Sequence, residues 1–135
     1  MCCGFMGQVE GRDKDIWALK KIIWYQNAIL SSIKKYGIKS QSDLPKDDAV
    51  TRGLVQFVGD IFELTKPLSE ETFNKLALNK PIIKRFRDIA AHRYGSLDET
   101  LSWMCIQHCI SKETVKNVQK TLNELQMQTQ ANNKN

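Results

Sequence analysis

Ile16-Trp17-Ala18-Leu19-Lys20-Lys21-Ile22-Ile23-Trp24-Tyr25-Gln26-Asn27-Ala28-Ile29-Leu30-Ser31-Ser32-Ile33 decides the fold class. Ile16, Leu19, Ile22, Ile23, Gln26, Ile29, Leu30 and Ile33 recur at intervals of three and four, the period of a helix with one buried face. The spacing predicts a helix from about Asp13 to Tyr36, with Gly37 as its C′ stop. Trp17 and Trp24 stand seven apart and so nearly in line, close to the opposite face. Either they pack on the N-terminal segment or they face another protein chain.

Outward from this helix the same period repeats. After Ser40, Ser42 and Pro45, a second helix is expected near Lys46 or Asp47, with Asp47 and Asp48 at its positive end. Its apolar face is Val50, Leu54, Phe57, Val58, Ile61 and Leu64. Ser69 reads as the N-cap of a short helix through about Leu78, with Glu70 and Glu71 in its first turn. Pro81 fits the first position of the next long helix, whose core contacts are Ile82, Phe86, Ile89 and Ala90. Ser96-Leu97-Asp98-Glu99 has capping-box spacing, and Leu97, Leu101, Met104, Cys105 and His108 read as the inner stripe of the helix it opens. Ser111 caps a last helix with Val115, Val118, Leu122 and Leu125 inside. No strand pattern or repeat interrupts the series. The expectation is an all-α protein, an up-down bundle of four to five main helices. A flexible N-terminal tail is expected at 1–12, the helical domain at 13–126 and a disordered C-terminal tail at 127–135.

Composition bounds the function. At 135 residues, with 41% hydrophobic and 26% charged residues, the chain can bury a core without staples. A net charge of +5 and a pI near 9.1 are compatible with a nucleic-acid partner or with a lysine-rich solvated surface. The longest apolar runs fall short of the roughly 18 residues of a membrane span, and no signal peptide is recognisable, so a cytoplasmic location is expected. The four cysteines, Cys2, Cys3, Cys105 and Cys109, do not form a disulfide framework. Cys105, His108 and Cys109 cluster on one helix without a second ligand pair at zinc spacing, so no metal is expected and the thiols read as small apolar groups.

Arg87-Asp88-Ile89-Ala90-Ala91-His92-Arg93-Tyr94 carries the chemistry. A guanidinium holds a phosphate through two parallel hydrogen bonds, and an imidazole moves protons near neutral pH. On a regular helix Arg87 and Tyr94 share a face about 10 Å apart, whereas His92 lies about 140° around from Arg87. The pair converges on one phosphate only where the helix loosens before Gly95, or where two chains combine. Metal-free RNA cleavage needs a base for the 2′-hydroxyl and an acid for the leaving oxygen. Two copies of His92 across a dimer axis supply both.

Arg, four residues, His, one residue, Tyr resembles the signature of the HEPN superfamily, and within it the HepT-like toxins of bacterial toxin–antitoxin pairs. Asp88 matches the polar residue that follows the arginine there. Gly95-Ser96-Leu97-Asp98 is similar to the continuation into the next helix. Asp48-Ala49-Val50-Thr51-Arg52 and Val58-Gly59-Asp60 are similar to the second-helix segments, with Asp60 in place of the usual glutamate. The resemblance spans roughly residues 13–125. It implies a homodimeric, metal-independent endoribonuclease, the toxin of a type VII-like pair, with Arg87 and His92 as the active-site residues. It implies no cofactor of its own. It also implies an antitoxin partner, a small MNT-type nucleotidyltransferase that moves AMP from ATP onto Tyr94; an anionic adduct beside Arg87 would block RNA by charge and volume. Asp88 either orients His92 or simply faces solvent. Trp17 and Trp24 are candidates for the dimer or antitoxin contact. The alternative is a non-catalytic HEPN module that binds nucleotide or RNA, or docks onto the nucleotidyltransferase.

Overall fold

The structure, a computed structural model, describes the backbone at 3–45, 48–92 and 99–133, and side chains at 11–45, 49–90 and 99–131. Six α-helices occur among these residues, with no strand: α1 (Cys3–Tyr36), α2 (Asp48–Leu64), α3 (Glu70–Lys75), α4 (Lys80–His92), α5 (Glu99–Ile110) and α6 (Lys112–Asn133). A single 3-10 turn, Gln41–Asp43, lies between α1 and α2. The all-α expectation holds.

Helix α1 is the spine, about 50 Å long, packed along α2 and α6 and touching α5. Leu19, Ile22, Gln26 and Ile29 of its predicted stripe are buried, with Ile16, Ile23 and Ile33 packed at the margin; Leu30 is exposed. Gly37 at φ +63° ends it. The Ile38 amide donates to the Ile33 carbonyl and the Gly37 amide to the Lys34 carbonyl, while buried Ile38 covers the turn.

Both outer helices are longer than their apolar periodicity predicts. Helix α1 begins at Cys3 rather than Asp13, so residues 3–12 continue the helix where a flexible tail is expected. Helix α6 runs to Asn133, through most of the segment expected to be disordered. Once a nucleus exists, each added residue gains a hydrogen bond for one fixed backbone unit. The stretch Gln126-Met127-Gln128 consists of good helix formers. Because residues 3–12 prolong α1, they do not fold back onto the tryptophans.

Other boundaries move for local reasons. Lys46 and Asp47 lie outside the described residues, as do Arg93 to Asp98, which include most of the expected capping box. Helix α3 ends at Lys75 rather than near Leu78, because Ala77 takes the left-handed conformation at φ +57°. Pro81 is the second residue of α4, not the first: Asn79 is the cap, its Oδ1 accepting from the Ile82 amide at 3.0 Å. Helix α5 buries Leu101 and Cys105 of its predicted stripe, but its inward face is rotated away from Met104 and His108, and Leu97 lies outside the described residues. Leu101, Ser102, Cys105, Ile106 and Cys109 are buried, whereas Met104 is exposed and His108 half-buried.

A buried carboxylate fastens α1 to α3. Asp15 accepts the Ser69 amide at 3.1 Å, the Ser69 hydroxyl at 2.8 Å and the Thr72 hydroxyl at 2.6 Å. Ser69 in turn caps α3 by accepting the Thr72 amide at 3.2 Å. A carboxylate at the positive end of a helix is favourable, and its removal would strand several donors inside the protein. Asp15→Ala is therefore expected to lower the unfolding free energy by roughly 3 kcal/mol. Asp15→Asn, which retains one acceptor oxygen, is expected to cost less; urea unfolding of the three proteins measures the order.

Candidate functional site at the α2–α4 junction

Helix α4 crosses against α2 and α5, placing Arg87 over the end of α2. Its Nη2 donates to the Phe62 carbonyl and to Thr65 Oγ1 at 3.3 Å. Phe62 belongs to the last turn of α2, at the negative end of its dipole, and its carbonyl also accepts the Thr65 amide at 3.2 Å and the Thr65 hydroxyl at 2.6 Å. Glu63 adds a carboxylate 3.7 Å from Nε, too long for a hydrogen bond. Arg87 Nε is thus buried without a hydrogen-bond partner, although the side chain as a whole is 32% exposed. Below the guanidinium, Phe86 meets Phe62 edge-to-face with centroids 5.2 Å apart. The arginine is a clamp between two helices with part of its donor set unspent.

Of the remaining motif residues only Asp88 has a described side chain. Asp88 is exposed on α4. His92 is the last residue of α4; its side chain lies outside the described residues, and so does Tyr94 altogether. Helix α4 is unbroken from Lys80 to His92, and five positions on such a helix are separated by about 140° around its axis. Trp17 and Trp24 stand away on the outer face of α1, 55% and 61% exposed.

Around Arg87 the chain builds a cleft that motif reading missed. Thr65, Lys66, Phe73, Pro81, Ile83 and Lys84, with Lys80 and Arg87, line about 590 Å³ of open space. Lys66 is paired with Glu63 at 2.8 Å, and Lys80 sits 5.3 Å from the Phe73 ring centre. Lys80, Lys84 and Arg87 follow at four and three residues, one face of α4, which was the available signal. Chemically the cleft offers cations over an apolar floor and suits an anionic group.

His108 is a structural joint rather than an inner-stripe residue. Its Nε2 accepts the Asn79 amide at 2.8 Å, tying the start of α4 to α5. Burial lowers its pKa below the ordinary 6.5, and accepting at Nε2 favours the same neutral form. Burial also pushes the Cys105 thiol up to about 11, against a smaller lowering by Arg85. Burial, then the neighbouring Cys105, raises Cys109 further. Thiols held protonated are poor nucleophiles and poor metal ligands. Among the described residues no three His, Cys, Asp or Glu side chains gather as a metal site; Cys2 and the Cys3 side chain lie outside them. No helix among them is long and apolar enough to cross a membrane.

No protein-family model, curated protein or solved structure matches this chain. The HEPN resemblance rests on the motif residues alone.

Two outcomes follow from this geometry. Arg87→Ala is expected to cost about 2 kcal/mol of stability and Arg87→Lys about half that, because lysine keeps the charge but not the planar fork; urea midpoints at unchanged m-value check it. For His108 the unfolded chain binds the proton more tightly than the folded one. Its contribution is thus complete above about pH 6.5 and declines as the pH falls through that value. The stability difference between about pH 7.5 and pH 5.5 should shrink in His108→Gln, read by the same titration at both pH values.

Proposed function

We propose that this chain is a HepT-like endoribonuclease, a metal-independent cytoplasmic toxin that works as a homodimer of up-down helical bundles. The observation that carries the reading is the placement of Arg87 and His92 on one unbroken helix, five residues apart. A single copy separates the two groups around the helix, so a complete site takes residues from two chains. One His92 removes the 2′-hydroxyl proton as that oxygen attacks phosphorus. The partner's copy of the same histidine protonates the departing 5′-oxygen. Arg87, whose side chain is 32% exposed, stabilises the charge on the phosphoryl oxygens. Asp88, exposed one turn before His92, adjusts that histidine. Tyr94 is the acceptor through which an MNT-type nucleotidyltransferase, using ATP, silences the toxin by AMP transfer.

One observation favours the second reading, a non-catalytic HEPN module that binds nucleotide or RNA or docks onto the nucleotidyltransferase. Arg87 Nη2 is already committed to the Phe62 carbonyl and Thr65. An arginine retained as a helix clamp would leave binding without cleavage.

The test is RNA cleavage by purified protein with EDTA present. His92→Ala should reduce the rate by roughly 10²–10⁴-fold while the thermal midpoint stays near that of the wild type. Equal rates for wild type and His92→Ala would remove the catalytic claim. Binding without cleavage by either protein would establish the second reading.

A further inference from the structure

We infer that the outer face of α1 is a binding strip for single-stranded RNA, held by Trp17 and Trp24 among five exposed lysines. The choice of RNA rests on the ribonuclease reading; the strip itself rests on α1 alone. On the helical wheel Trp17 and Trp24 fall within about 20° of each other and nearly opposite buried Leu19, Ile22 and Ile29. Lys14, Lys21 and Lys35 lie to one side of this midline or along it, and Lys20 and Lys34 to the other; all five are exposed. From Lys14 to Tyr36 the sole acidic residue is Asp15, which is buried under the α3 cap. Asp13, exposed one turn before Trp17, stands at the start of the strip.

The indoles contribute little to the core, since more than half of each is open to solvent. Trp24 is nonetheless braced, its ring edge-on to Tyr25 at 5.0 Å and to Phe57 of α2 at 6.5 Å. Lys21 stands 6.0 Å from the Trp17 ring centre, so charge and π-face are presented together. Single-stranded nucleic acid supplies both complements along its length, phosphates for the lysines and unpaired base faces for the indoles. A duplex hides its base faces. A bilayer asks for a continuous apolar stripe, whereas Lys20, Lys21, Asn27 and Ser31 interrupt this one. The two tryptophans are about 10 Å apart along the axis, far enough to hold two separate bases.

The experiment uses the full chain and a labelled 2′-O-methyl oligouridine of about a dozen nucleotides, which cannot be cleaved by 2′-oxygen attack, so binding is read apart from catalysis. Trp17→Ala and Trp24→Ala should each weaken binding about tenfold, with thermal midpoints unchanged. Lys21→Ala combined with Lys35→Ala should reduce the slope of log K against log salt by about 1.4. Quenching of tryptophan fluorescence on binding should vanish in the Trp17/Trp24 double variant, where half-buried Trp103 of α5 alone still emits. Undiminished binding by that double variant overturns the proposal. So does equal affinity for duplex RNA, or uptake by phosphatidylserine vesicles through the same tryptophans without RNA binding. Conversion of a dimer to a monomer by the double variant, at constant RNA affinity, reassigns the face to self-association and overturns it as well. Strip-dependent binding by a protein that never cleaves RNA would defeat the ribonuclease reading and leave the strip standing. Cleavage with strip-independent binding would do the reverse.

Discussion

A helix that ends inside a protein leaves amides or carbonyls without partners, and each one abandoned costs about 1–3 kcal/mol. This chain meets that constraint repeatedly by lending a side chain from a different helix. Asp15 of α1 takes the start of α3. Asn117 of α6 reaches the Leu76 carbonyl at the end of α3, at 3.4 Å. His108 of α5 takes the amide of the α4 cap, and Arg87 of α4 takes a carbonyl of the last turn of α2. Gln26, buried in the middle of α1, donates to the Cys109 carbonyl near the end of α5 at 2.9 Å. Apolar contact is non-directional and would allow the helices to slide. These bonds set where along one another they stop.

The same constraint gives Arg87 two readings. A guanidinium is as well suited to a helix C-terminus as to a phosphate, because both present oxygen acceptors in a negative field. At the end of α2 it spends Nη2 on the fold and holds Nε 3.7 Å from the Glu63 carboxylate, while the side chain, 32% exposed, lines a lysine-rich cleft. Structural service and anion binding are therefore not exclusive: the clamp holds the guanidinium still, and a group held still loses less entropy on meeting a ligand.

Legibility in the sequence followed the range of the interaction. The stripe of α1, the Gly37 stop and the Ser69 and Ser111 caps depend on residues within a few positions of each other, and all can be read directly. The inward face of α5 could not be. Its apolar residues surround the helix, so periodicity does not choose a side, and Met104 and Ile106 are equally eligible until α1 and α2 are in place. The lengths of α1 and α6 were hidden because their ends lack an apolar period. Asp15 was missed because Ser69 and Thr72 lie 54 and 57 positions away. His108 looked apolar-facing for the same reason, its partner Asn79 being 29 positions distant. For the candidate site, the Arg87–Asp88–His92 spacing was visible as a string, whereas the cleft needed α2, α3 and α4 assembled.

Helix α4 is pinned at Asn79 by α5 and at Arg87 by α2, and His92 follows only five residues beyond the second pin. A side chain that must meet a phosphate within tenths of an ångström is best mounted close behind such fixed points. Along that unbroken helix the Arg87 and His92 positions are about 140° apart around the axis. The outer face of α1 lies opposite its core-facing stripe and takes no part in these bonds.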